Sequence, residues 1–203
     1  MKSAREKMDK GSKTTSTAHV IFPNVHEFAK RSMPPAYPER LLSSWRNIGA
    51  GFAETAPYWE GDHKIIVSPL PLSKELMEYG TTILGLPPMT WLSPNRYSSE
   101  LSLDLLQDSQ ATQRLISLMD EFDEVELAAW GATTGLYLLL DELQSRCPHL
   151  RTEDVPDREQ YWSSLYYDSK VGFRDLCMQI RATSSEVTVP EGFVCASLSE
   201  AIE

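Results

Sequence analysis

The sequence predicts an α/β protein: a parallel sheet of about four strands with helices on both faces, followed by a helix–strand appendage at the C-terminal end. Three observations predict it. Short apolar runs rich in β-branched residues alternate with helical patterns four times along the chain. Each run stops at proline, asparagine, serine or glycine, the residues that end strands and open turns. No self-similarity at a period of about twenty to fifty residues suggests a repeat array instead.

The elements follow in order. Residues 18–22 form the first strand, ended by Pro23 and Asn24. Pro38 opens a helix with Leu41, Leu42, Trp45 and Ile48 on one face, and Gly49 and Gly51 are expected to stop it. Residues 64–67 form the second strand, ended by Ser68-Pro69. Ser73 caps a helix that runs through Leu76, Met77 and Ile83 to Gly85. Residues 89–92 are the third strand, and 109–119 a helix with Leu115, Ile116 and Met119 facing inward. Residues 125–130 are the fourth strand. Gly131-Ala132-Thr133-Thr134-Gly135 and an apolar helix over 136–143 follow it. Asp157 and Gln160 resemble a capping box for a short helix through Trp162 and Leu165. Asp168 is placed to cap the next helix, whose apolar face is Phe173, Leu176, Cys177 and Ile180. A turn and strand over 189–195 come last, and Ser197 with Glu200 forms another capping box. A helix begun so close to Glu203 has too few residues to be stable alone, which suggests a chain cut short.

Three regions result. Residues 1–17 carry Lys2, Arg5, Lys7, Lys10 and Lys13 against Glu6 and Asp9, with no apolar periodicity, and read as a disordered basic tail. Residues 18–155 are the α/β domain, and 156–203 a linker helix and the opening of a further unit. The chain has 203 residues, 41% hydrophobic and 24% charged, enough to bury a core. A net charge of -10 argues against a nucleic-acid backbone as partner. No apolar run is long enough for a membrane span or a signal peptide. Three cysteines, widely spaced and odd in number, fit the reducing cytoplasm.

Parallel sheets gather ligands at the carboxyl ends of their strands. Asn24, Ser68, Thr133 and Thr134 sit there and are the candidate substrate-binding residues. The alternative for the two threonines is that they only cap their helix. Gly49-Ala50-Gly51 lacks the third glycine of a dinucleotide fingerprint and follows a helix, so it binds no pyrophosphate. His19, His26, His63 and His149 are scattered without zinc-site spacing, and no metal site is expected. No Gly-x-Ser-x-Gly elbow is present, and no catalytic residue is named from spacing.

Residues 168–174, Asp-Ser-Lys-Val-Gly-Phe-Arg, followed by Val189-Pro190-Glu191-Gly192-Phe193, resemble the entry to an ATP-grasp domain. The upstream unit, with its first strand and the Tyr37-Pro38-Glu39-Arg40-Leu41-Leu42 stretch, is similar to the Rossmann-like pre-ATP-grasp domain of the peptide-ligase branch. The resemblance spans residues 18–203. It implies an ATP-dependent carboxylate–amine ligase that works through an acylphosphate, with ATP and Mg2+ as cofactors. It also implies a small acid or amine, such as an amino acid or peptide, as substrate. Lys170 matches the lysine that reaches ATP phosphate oxygens in that superfamily; otherwise it is a surface lysine. The second phosphate-contacting lysine, the adenine hinge and the magnesium-holding carboxylates have no counterpart here. The chain alone is therefore expected to be inactive, with an ATP-grasp lobe supplied in cis or trans. The rival expectation is a stand-alone, non-catalytic interaction module. An exposed apolar patch around Phe173, Leu176 and Phe193 would favour the ligase, and a covered one the module.

Overall fold

The computed structural model describes residues 16–31 and 37–184. Most of the basic tail, the 189–195 strand, Phe193 and the Ser197–Glu200 capping box lie outside the described residues. Five parallel strands make one sheet: β1 (Thr17–Phe22), β2 (Lys64–Val67), β3 (Met89–Leu92), β4 (Glu124–Ala129) and β5 (Leu150–Glu153). Their order is β3-β2-β1-β4-β5, so the chain winds outward from β1 in one direction and then, through β4, in the other. The α/β reading holds, with a fifth strand that the sequence did not announce. β5 has four residues, two of them charged, and it follows Pro148-His149 with no β-branched run.

Eight α-helices lie among the described residues, six between the strands and two after β5: α1 (Val25–Lys30), α2 (Glu39–Gly51), α3 (Lys74–Thr82), α4 (Leu101–Gln107), α5 (Ser109–Met119), α6 (Thr134–Arg146), α7 (Tyr161–Tyr167) and α8 (Lys170–Thr183). A tighter 3-10 stretch, Phe52–Tyr58, continues α2. α1 and α4 were not foreseen, being too short to show a 3.6-residue period.

Strand alternation assigns the two faces. Ala18, Val20 and Phe22 of β1 enter the larger core with Leu105 of α4, Leu115 and Met119 of α5, and Leu136, Leu139 and Leu143 of α6. Each fully buried leucine contributes roughly 1.5–3 kcal/mol relative to exposure. Ile21 and Ile66 enter the smaller core, covered by Ala53 and Ala56 of the 3-10 stretch and Met77 of α3. The sheet is thus covered on both sides, thickly on one and thinly on the other. No helix among the described residues is long and apolar enough to cross a membrane.

Three local readings need correction. Gly49 does not stop α2; the helix runs through it and ends at Gly51, from which the chain passes into the 3-10 stretch. Gly49 is there for close approach, since a Cβ at that position would lie 2.5 Å from His26 Cβ on α1. Asp157 makes no side-chain cap bond; a 3-10 turn, Arg158–Gln160, leads into α7 instead. Asp168 does not cap α8. Ser169 does, its Oγ accepting from the Gly172 amide at 2.9 Å. Ser73, by contrast, caps α3 as read, accepting from the Leu76 amide at 3.0 Å.

Candidate functional site

The chain reverses its winding between β1 and β4, and their carboxyl ends frame the crevice where ligands gather in open parallel sheets. Asn24 stitches the two strand ends together. Its Nδ2 donates to the Gly131 carbonyl at 2.9 Å, and its Oδ1 accepts from the Gly131 amide at 3.2 Å. Gly131 has no room for a side chain: a Cβ would lie 2.1 Å from Cδ2 of Phe28 on α1. The Arg31 guanidinium lies 3.4 Å above the same Phe28 ring. It donates to Phe28 O at 2.8 Å, to Ala132 O at 3.3 Å and to Asp168 Oδ2 at 3.3 Å.

Beside this tie sits Glu27, a carboxylate that is only 7% exposed. Oε2 accepts from the Ser102 amide at 2.9 Å, in the first turn of α4, and Oε1 accepts from the Thr133 hydroxyl. Thr133 Oγ1 in turn accepts from the Leu136 amide at 3.0 Å and caps α6. Burial pushes the Glu27 carboxyl above the usual carboxylate range, and the Thr133 and Ser102 hydrogen bonds pull it back. The chain's own carboxylate thus occupies the position at the α6 N-terminus where a bound anion would otherwise sit.

An open crevice of about 230 Å³ adjoins it, lined by Glu27, Lys30, Arg31, Glu100, Thr134 and Tyr161 among others. Lys30 Nζ and Glu100 Oε1 pair at 3.1 Å, both half exposed. A ligand entering here meets both signs of charge and the exposed Thr134.

Behind the crevice, Ser99 holds a left-handed backbone, φ 90°, in the turn before α4. Its Oγ accepts from Arg46 Nε at 2.7 Å, and its carbonyl lies 3.3 Å from His26 Nδ1. Burial holds the His26 imidazole below its ordinary value, with a smaller push from Arg46 and Lys30.

The predicted site residues therefore separate. Asn24 and Thr133 come together at the β1–β4 junction, but both are buried and bonded within the fold. Ser68 is buried at the end of β2 and donates to Leu70 O. Thr134 alone of the four is exposed, on the crevice wall. Lys170 is exposed at the first position of α8. It lies outside the crevice lining, though the Arg31–Asp168 pair fastens the start of its helix to the crevice edge. Sequence reading missed Glu27, Arg31 and His26. The one available signal was two adjacent titratable residues, His26 and Glu27, just beyond the Pro23-Asn24 strand end.

Among the described residues no group of three or more His, Cys, Asp or Glu side chains is arranged to hold a metal ion. No family model matches the chain, and neither the curated proteins nor the solved structures compared with it gave a match.

Proposed function

We propose that this chain is the substrate-side portion of a cytoplasmic ATP-dependent carboxylate–amine ligase of the ATP-grasp, peptide-ligase type. The observation that carries the reading is the α7–α8 hairpin. Its outer side chains are apolar and open: Trp162 is 61% exposed and Phe173 60%. A lone domain gains nothing from leaving such a surface in water, whereas an ATP-binding lobe docked there would bury it. Phe173 matches the expected docking patch, and Leu176 beside it is half-buried.

Lys170 opens the same hairpin's second helix, where an ammonium group adds to the field of the helix N-terminus. In the proposed reaction a substrate carboxylate attacks the γ-phosphorus of ATP and ADP departs. An amine then attacks the resulting acylphosphate at carbon, and inorganic phosphate leaves. Lys170 would contact phosphate oxygens, and the ligands for Mg2+ would come from the docked lobe. The acid or amine would enter by the crevice at Thr134. A second reading is kept because Glu27 already fills the α6 N-terminus: a non-catalytic module that binds a partner through the hairpin.

The test begins with the coding sequence around this chain, searched for an ATP-grasp lobe in the same or a neighbouring frame. The combined protein is then assayed for phosphate release from ATP that requires both an acid and an amine. Lys170→Ala should lower the rate by about 100-fold or more, in the range for removing one electrostatic contact to a reacting group, with stability unchanged. Full activity of that variant would remove the phosphate role. No acid- and amine-dependent release at all would favour the module.

A further inference from the structure

The chain over residues 98–102, the turn into α4, is fastened to α1 and α2 by side chains. Ser99 Oγ accepts from Arg46 Nε of α2 at 2.7 Å, and Glu100 pairs with Lys30 of α1 at 3.1 Å. The Ser102 amide donates to Glu27 Oε2 at 2.9 Å. The fourth fastening is the Ser99 carbonyl, 3.3 Å from His26 Nδ1. A carbonyl only accepts, so Nδ1 carries the ring proton and Nε2 of the neutral imidazole is left with a lone pair. That Nε2 is buried and has no hydrogen-bond partner, on a residue that is 5% exposed.

A proton added at Nε2 would therefore create a charge with no acceptor, inside the fold. The charged groups around the ring do not repair this. Arg46 faces it from α2, Lys30 from its own helix and Glu100 from the turn, and Glu100 is already paired with Lys30. Burial, with a smaller push from Arg46 and Lys30, holds the imidazole below its ordinary value of 6.5.

We infer that His26 is an acid-sensitive latch on the crevice: when its ring takes up a proton, residues 98–102 come away from α1 and the crevice wall opens. The turn is the part that gives way. Ser99 holds φ 90°, a backbone that persists in a non-glycine residue only while its surroundings impose it. Asn95, Arg96 and Ser98 beside it are exposed, whereas Val20 of β1 and Leu127 of β4 are fully buried. Glu100 and Leu103 line the crevice, so displacing the turn widens its entrance. Glu27 does not drive the release. Its pKa is raised in the fold, so proton uptake there favours the closed form.

Amide hydrogen exchange on the full chain, from about pH 7.5 to about pH 5.5 and corrected for the intrinsic effect of pH, tests this. It needs neither ATP nor a further lobe, so its outcome is separate from the ligase reading. Below pH 6.5 the open form binds one more proton, and opening should rise by up to about tenfold per pH unit. The Ser98 and Ser102 amides should exchange several-fold faster at the acid end, while those of β1 and β4 keep their rates. His26→Asn places an amide N–H where Nδ1 stands and cannot titrate, so its turn should exchange independently of pH. Should that variant fail to fold, the wild-type chain decides: the His26 ring resonances and the exchange of the turn must share one midpoint. Exchange at Ser98 and Ser102 that ignores pH overturns the inference, as does an acceleration that survives His26→Asn. Two separate midpoints, or equal acceleration in the sheet, overturn it as well.

Discussion

Glu27 holds two helix starts at once, and its removal would be felt at both. In Glu27→Ala the Ser102 amide and the Thr133 hydroxyl lose their acceptor inside the protein. Buried groups stranded in this way cost about 1–3 kcal/mol each, so a loss of about 2–6 kcal/mol in urea denaturation is expected. Glu27→Gln keeps an acceptor oxygen and removes the titration. The sign of the pH effect follows from the raised pKa of the folded state. Between the ordinary value of 4.5 and that raised value the folded chain binds more protons than the unfolded one, so stability falls as pH rises through the interval. The stability of Glu27→Gln relative to wild type should therefore increase from pH 4 upward and then level off. A constant difference would mean that Glu27 does not titrate there. His26 acts in the opposite sense: its lowered pKa takes stability away as pH falls below 6.5.

At the scale of elements, the sequence was legible where a period was long enough to register. α2, α3, α5 and α6, together with the cap at Ser73, are where apolar spacing and cap chemistry put them. α1 was invisible because six residues span less than two turns, and with it went Glu27, His26 and Arg31. The site was thus partly hidden because its residues stand on the shortest helix that flanks it. The glycines of α2 show a different limit. A sequence presents Gly49 and Gly51 as equivalent stop signals, but their surroundings differ. Gly49→Ala would press a methyl onto His26, an overpacking cost of about 1–3 kcal/mol that outweighs the better helix propensity. Gly51→Ala, in open space on a helical backbone, should gain about 0.5–1 kcal/mol. Opposite signs in urea denaturation would confirm that packing, not propensity, keeps the first of these glycines. Equal effects would refute the close contact.

At the scale of the molecule, the winding order makes one consequence testable. The sheet and its helices form a closed unit, while the α7–α8 hairpin is fastened to it by few bonds. One is Arg31–Asp168 at 3.3 Å; another is the Tyr137–Tyr161 edge contact, with ring centroids 5.6 Å apart. Arg31 keeps its place without Asp168, since Phe28 O, Ala132 O and the Phe28 ring still hold it. Asp168→Asn should therefore loosen the hairpin and spare the junction. The Arg31 side chain is only 10% exposed, so its attraction to Asp168 is less screened than that of an open surface pair. Amide hydrogen exchange reads the two regions separately. In Asp168→Asn, exchange across Lys170–Thr183 should quicken several-fold while the amides of β1 and β4 keep their rates. Equal acceleration in the sheet would mean that the pair supports the whole fold. No change in either region would mean that the aromatic contact alone seats the hairpin, and with it the helix that carries Lys170.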